Sequence, residues 1–562
     1  MRINGHAHIF NLQSVLTDEA ISIIVNRIRR AGVPGFIADA VEKLLRDQLD
    51  HPEYLNEDEL LARFVDAMLK SDRLRDAGNL PLEVHTLGGA TGSLGVRALR
   101  SVLNEISRSV APRGGPGMGP WDVYETLRVA LQPDIPRVAG KLLAHLGPED
   151  ALVALMMDIT SESEGERDRL NFRRQIRGTQ EAVLTHPGRV LPFFAVNPKR
   201  KDHFDLMKHA VLEDGFLGIK LYPSLGYALD TAEMRKVLEF CREHDVPITI
   251  HTSAGGFKRD DASADFSHPR HWRGLLQPDD SLRVCFAHCG GWGGLSGLVE
   301  DQAAWTEQIL QLMDDFSGAY ADISYHVDQM RSPEAEQAYF AALKTLIDTD
   351  SRGDRIVFGT DSWLLRLSLD DAIYWTYFER HLGPERFRKI ARDVPINFLG
   401  LPVDGRPLRD NIRRHLEWLT DRADEVGAPP AAWITAIRPD VHWLVTRPGS
   451  DWSLNNWAHA IAYYYLRNQK PGSDDFGEFG QVRLRQLEYF RRHPGGPTDH
   501  LLDMVAEALI KRSEQRARPE GGHDESSIRA ALKNALKDPN RTVADIGRLL
   551  DAVYLYEPEM IR

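Results

Sequence analysis

A chain of 562 residues, 42% hydrophobic and 27% charged, has the composition of ordinary globular protein, which excludes disorder, collagen and coiled coil as whole-chain readings. Its formal charge of -13, from 69 basic and 82 acidic side chains, lacks the basic excess of a nucleic-acid binder. Three cysteines, Cys241, Cys285 and Cys289, are too few for a disulfide framework and read as core filler. No apolar run approaches the ~20 residues of a bilayer span, and MRINGHAHIF lacks the basic and apolar regions of a secretory signal. The expectation is a cytoplasmic protein with a small-molecule substrate, no nucleic-acid or membrane partner, and a homo-oligomeric state, taken as a dimer.

RINGHAHI at the N-terminus reads as a first strand. Residues 13–149 then form a long, mostly helical insertion, with Ile21, Ile23, Ile24 and Ile28 in one basic amphipathic stretch and a breaker, APRGGPGMGP, from Ala111 to Pro120. Seven apolar runs follow, ending near Asp158, Asn197, Tyr222, His251, His288, Tyr325 and Asp361. Most are near-continuous in Val, Ile, Leu and Phe, as parallel strands covered on both faces require. Helix signals lie between them. Asp230 with Glu233 reads as a helix start, and Ser332 before Pro333 reads as another.

The run ends recur every 25 to 39 residues, the cadence of β-α units, and with the N-terminal strand there are eight. This predicts an α/β fold, a (β/α)8 TIM barrel built from residues 1–12 and 150–402, with 13–149 as a helical cap. A doubly wound open sheet would need a glycine-rich phosphate turn, and none is present. Residues 403–562 read as a helical C-terminal extension, with an aromatic cluster at Trp457 to Tyr465 and a surface loop near Arg518.

His6 and His8 are two apart in a strand, so both imidazoles face the same way and can reach one ion. Among 21 histidines, chance supplies roughly one such pair, so position carries the weight. His251, His288 and Asp361 each follow an apolar run at its C-terminal end, where a barrel gathers its active site. Together they form a nitrogen and oxygen donor set suited to zinc or a similar divalent ion. A bound ion of this kind lowers the pKa of its water toward ~7.

The order NGHAHIF, GIKLYP, TIHTS, AHCGG and FGTDS resembles the metal-dependent amidohydrolase superfamily. It is closest to the branch (amidohydrolase family 2) that includes the aminocarboxymuconate semialdehyde and resorcylate decarboxylases. The resemblance covers the barrel and its closing NFLGL, and neither the insertion nor the last 160 residues. It implies that His6, His8, His251 and Asp361 hold one divalent metal, zinc first and manganese or another divalent ion next. It implies that Asp361 moves protons and that His288 is catalytic beside the ion. Lys220 in GIKLYP is expected unmodified near the site, with a carboxylated lysine and a second metal as the alternative.

The loops after the strands are expected to line the pocket. Arg259, Arg270, Arg273, Lys199 and Arg366 are candidates for a substrate carboxylate. Tyr222, Trp292, Tyr325 and Trp363 are candidates for aromatic walls. The leading function is hydrolysis of a C–N, C–O or lactone bond in a small molecule. The alternatives are a non-oxidative decarboxylase (a lyase) with the same ligands, and a non-catalytic barrel-based binding protein, against which the intact donor set argues.

Overall fold

A computed structural model describes residues 1–30, 33–51, 55–71, 96–110, 119–159, 165–276, 281–362, 364–422, 430–437, 491, 497–513, 525–538, 540–541 and 546. The chain divides into two compact units. The first, Met1–Val183 with Arg189–Leu416, contains both the insertion and the barrel.

Eight strands form one parallel sheet in sequence order: β1 (Ile3–His8), β2 (Ala151–Leu155), β3 (Val190–Val196), β4 (Gly218–Leu221), β5 (Ile248–His251), β6 (Val284–Ala287), β7 (Ala319–Asp322) and β8 (Ile356–Val357). Every strand residue is buried, as the near-continuous apolar runs require. The ring closes where β8 meets β1. The Gly5 N–H donates to Phe358 O at 2.8 Å, the Asp361 N–H donates to His6 O at 2.8 Å, and Ala7 bridges to Ser362. Gly359 permits this approach, because a Cβ there would stand 2.6 Å from the Cβ of His6.

β1 and β5 end at His8 and His251 as the sequence suggests, but the other strands stop earlier than their apolar runs. β8 ends at Val357, four residues before Asp361, and His288 lies in the turn after β6. The polar ends of these runs are therefore loop residues carried on rigid strands.

Between β1 and β2 the described residues of the insertion include the helices α1 (Asp18–Arg30), α2 (Gly35–Asp50), α3 (Glu57–Leu69), α4 (Val96–Val110), α5 (Pro120–Ala130) and α6 (Ile135–Leu143). Ile21, Ile23, Ile24 and Ile28 of α1 are buried as their spacing predicts. Asn56 closes a capping box with Glu59 at the start of α3. Around the barrel run α7 (Glu166–Thr185), α8 (His203–Leu212), α9 (Ala232–Glu243), α10 (Glu300–Asp315), α11 (Pro333–Asp348) and α12 (Asp371–Leu382). α11 starts where the sequence places it, with the Ser332 hydroxyl accepting the Ala335 N–H at 3.1 Å. α9 does not. Thr231, not Asp230, takes the cap by accepting the Met234 N–H at 3.2 Å. Cys241, Cys285 and Cys289 are free and buried.

The second unit, Leu184–Gly188 with Glu417–Arg562, contains the helices Ala432–Ile437, Pro497–Ser513 and Glu525–Lys537. The last two are joined by Lys533–Glu507 and Lys537–Asp503 ion pairs at 2.8 and 3.1 Å. The Trp457 to Tyr465 cluster, the run near Arg518 and most of the Ala111 to Pro120 breaker lie outside the described residues. Among the described residues no helix is long and apolar enough to cross a membrane.

Candidate metal centre

The C-terminal ends of the strands bring His6, His8 and Asp361 together, one ligand atom from each within 4.8 Å of the others. The two imidazoles share an orientation imposed from behind. His6 Nδ1 faces Asp322 Oδ2 at 2.9 Å, and His8 Nδ1 faces the Leu155 carbonyl at 3.3 Å. Both partners are acceptors, so each Nδ1 carries the proton and each Nε2 keeps its lone pair. Burial, then the Lys220 charge, pushes the His6 imidazole down to about 3. Burial also lowers His8. Both are neutral, the form that binds metal.

Those lone pairs face one carboxylate oxygen. His6 Nε2 stands 3.4 Å and His8 Nε2 stands 3.3 Å from Asp361 Oδ1. That oxygen is buried and accepts no hydrogen bond. Around an ion with bonds of about 2.0 to 2.1 Å, tetrahedral donors stand about 3.3 to 3.4 Å apart. The three side chains therefore have the spacing and donor chemistry of a divalent metal site. Burial raises the Asp361 carboxyl, but the nearby His8, His6 and His288 outweigh it and hold it below the ordinary carboxylate range.

His251 stands one step away, behind His288. His288 Nε2 is 3.1 Å from His251 Nδ1, and His251 Nε2 is 3.2 Å from Gly255 O. His288 Nδ1 lies 3.2 Å from Ser324 O and 2.9 Å from Ser324 Oγ, whose proton goes to Asp322 Oδ1 at 2.5 Å. Two imidazoles carrying one proton each are one short of filling the three contacts of this chain. Whichever way they run, one contact sets two acceptors face to face, a mismatch that a cation on a free imidazole nitrogen would relieve. His251 is stacked on Tyr222 with centroids 4.1 Å apart and planes 7° from parallel. Gly256, at φ +77°, covers that stack, and a Cβ there would stand 2.5 Å from Tyr222 Oη.

Asp322, at the end of β7, is the residue the sequence reading missed. It orients His6 and also accepts the backbone N–H of His288 and of Ser324, both at 3.0 Å. Burial opposes its ionisation, but its partners, His6 first and then His288, hold its carboxyl well below the ordinary range. Its signal was present in AYADISY, a strand-end carboxylate equivalent in place to His251. Backbone strain marks the same ring of positions. Of six non-glycine residues with positive φ among those described, His288, Cys289, Tyr325 and Asp361 belong to the loops just beyond β6, β7 and β8.

A cavity of about 170 Å³ opens onto this centre, lined in part by His251, His288, Asp361, Tyr222, Trp292 and Tyr325. Lys220 does not line it. Lys220 is buried, with Nζ 3.4 Å from His6 Nε2, and burial lowers its amine to about 8 against the pull of Asp322 and Asp361. Arg259 does not line it either, and instead pairs with Glu19 of α1 at 3.0 Å. Arg270 pairs with Asp265, Arg273 with Asp315 and Arg366 with Asp371. Trp363 lies outside the described residues.

The cation at the cavity is Arg27 of α1, its guanidinium 5.7 Å from the centroid of the Tyr325 ring. Among the described residues it has no hydrogen-bond or ion-pair partner. The residues three and four places from it in the sequence are Ile23, Ile24, Arg30 and Ala31. No acid is within local reach, a signal readable in the sequence.

Residues 133–401 match the amidohydrolase family model. No curated protein matches the chain. Solved structures similar to it include an uncharacterized TIM-barrel protein from Bordetella bronchiseptica, at 15% identity and a TM-score of 0.35, covering 50% of this chain and 90% of that one. The family match starts beyond β1, so the assignment of His6 and His8 rests on the geometry above. Eight parallel strands, a donor set at their C-terminal ends and the match itself agree: over residues 133–401 the chain is similar to the amidohydrolase family, whose members are metal-dependent enzymes.

Proposed function

We propose that the protein is a hydrolase of small molecules, with zinc held by His6, His8 and Asp361 and by His251 once its ring is released from Gly255. The observation that carries this reading is Asp361 Oδ1, buried without a hydrogen bond and 3.3 to 3.4 Å from two unprotonated imidazole nitrogens. An ion bound there supplies Lewis acidity, polarising a substrate oxygen and easing the loss of a proton from water. Asp361 is ionised and borders the cavity, so it takes that proton and returns it to the leaving group. His288, fixed through Nδ1 by Ser324, presents Nε2 as an acceptor and orients the attacking water. Arg27 binds an anionic group of the substrate through charge-assisted hydrogen bonds. Residues 13–149 act as the cap that brings Arg27 to the cavity and keeps bulk water out.

Arg27 also favours a second reading. Decarboxylation needs a cation to seat the departing carboxylate, and an unpaired arginine at the cavity supplies one. Hydrolysis is preferred because an ionised Asp361 is ready to accept a proton, whereas decarboxylation needs it to deliver one to carbon. Lactones, cyclic amides and hydroxybenzoates assayed in 18O-labelled water, with CO2 release followed in parallel, test the choice. Label in the product without CO2 supports hydrolysis. Metal-dependent CO2 release without label in the product overturns it.

A further inference from the structure

A second void adjoins the polar cavity. It measures about 30 Å³ and shares Arg27, Phe257, Leu364 and Leu367 with the cavity at the metal centre. Its far walls belong to the insertion: Ile24 on α1, Val41 on α2, and Leu127 and Ala130 on α5. The one hydroxyl there, on Thr126, is already spent on Asp122 O at 2.7 Å. A water needs about 10 to 15 Å³ in this measure and two or more polar partners. The void has room for about two waters and offers them no partners. A dry space of this kind takes apolar groups.

Arg27 belongs to both spaces, which suits a side chain with an apolar stem and a charged head. The stem walls the apolar void, and the guanidinium lies by Tyr325 at the polar cavity. A ligand spanning the two needs the same division. We infer that the void is the specificity subsite of the enzyme, and that its substrate is a small anion carrying an apolar arm of two or three carbons. The arm reaches past Phe257 into the insertion while the polar end stays at the metal centre. This rests on the reading of the cavity as a substrate site for anions. It goes beyond that reading in assigning the insertion, through α1, α2 and α5, the choice of substrate.

The test is calorimetric binding of straight-chain carboxylates, acetate through octanoate, to the zinc-loaded full-length protein. Affinity is expected to stay flat for the shortest acids, to rise about fourfold per methylene over two or three carbons, and then to level off. Ala130→Leu, which fills the void, should abolish the rise and leave acetate affinity unchanged. Leu127→Ala, which enlarges it, should extend the rise to longer acids, and it decides the matter should Ala130→Leu fail to fold. A flat series, or a rise indifferent to both variants, overturns the subsite. Because the readout is binding, a wrong reaction class leaves this result standing. Acetate that fails to bind, or binds unaffected by Arg27→Ala, overturns the anion-site reading and with it the inference.

Discussion

Replacing Asp322 by Asn tests whether the carboxylate behind His6 governs metal binding. The substitution keeps the volume and removes the charge. In the protein, Oδ1 of Asp322 accepts the backbone N–H groups of His288 and Ser324 at 3.0 Å, and Oδ2 accepts His6 Nδ1–H at 2.9 Å. An asparagine keeps its carbonyl oxygen on the two backbone donors, because the reverse would set its NH2 against both. Its NH2 then faces His6 Nδ1. Donor meets donor, so the His6 proton moves to Nε2 and the lone pair aimed at Asp361 is lost. Loss of such a supporting partner costs 10- to 100-fold in metal affinity, and the forced tautomer places this variant near the upper figure, about 2.7 kcal/mol. Zinc titration against a chromophoric chelator at neutral pH measures it, with circular dichroism confirming the fold. A folded Asp322→Asn protein that binds zinc within threefold of the parent would refute the reasoning.

Other outcomes follow from the same structure. His288→Ala should keep nearly all of its zinc, by elemental analysis, and lose at least 100-fold in activity; an emptied site would make His288 a ligand. Gly256→Ala puts a Cβ 2.5 Å from Tyr222 Oη at a φ of +77°, and should cost about 1 to 3 kcal/mol in thermal unfolding. Asp150 accepts Arg2 N–H at 2.6 Å and the Arg2 guanidinium at 2.9 Å. Burial raises its carboxyl, yet these bonds hold it below 3.8 in the folded state. Its contribution is therefore present above pH 4 and lost as pH falls through the folded value. Asp150→Asn should cost about 2 kcal/mol at pH 7 and progressively less as pH falls below 4, read from denaturant midpoints across that range.

The barrel was legible because burial on both faces writes parallel strands as apolar runs, and because β-α units have a narrow range of length. His6, His8 and Asp361 were legible as polar residues interrupting or ending such runs. Asp322 obeys the same rule, but a single strand-end aspartate has no pattern to distinguish it until His6 is seen 2.9 Å away. Arg27 was harder. Its partner lies across the fold, on the loop after β7, and local spacing gives only the negative sign that no acid is near. The opposite error has the same cause: Arg259 sits in a loop after a barrel strand, yet it is turned to Glu19 of α1. The start of α9 shifted by one residue because Asp and Thr stand side by side there and either can cap.

The donor set straddles the joint between the first and last strands: His6 and His8 on β1, Asp361 just past β8. In folding terms this is the most expensive closure among the barrel strands. Gly5 and Phe358, whose backbones meet there, are separated by some ten times the span of one β-α unit, a difference worth roughly 2 kcal/mol of chain entropy. An ion present at a thousand times its dissociation constant returns about 4 kcal/mol to the folded state, and it does so across this joint. An ion bound there would be a clasp as well as a reagent, and a cell short of it would hold a barrel whose ring is fastened least securely at this seam.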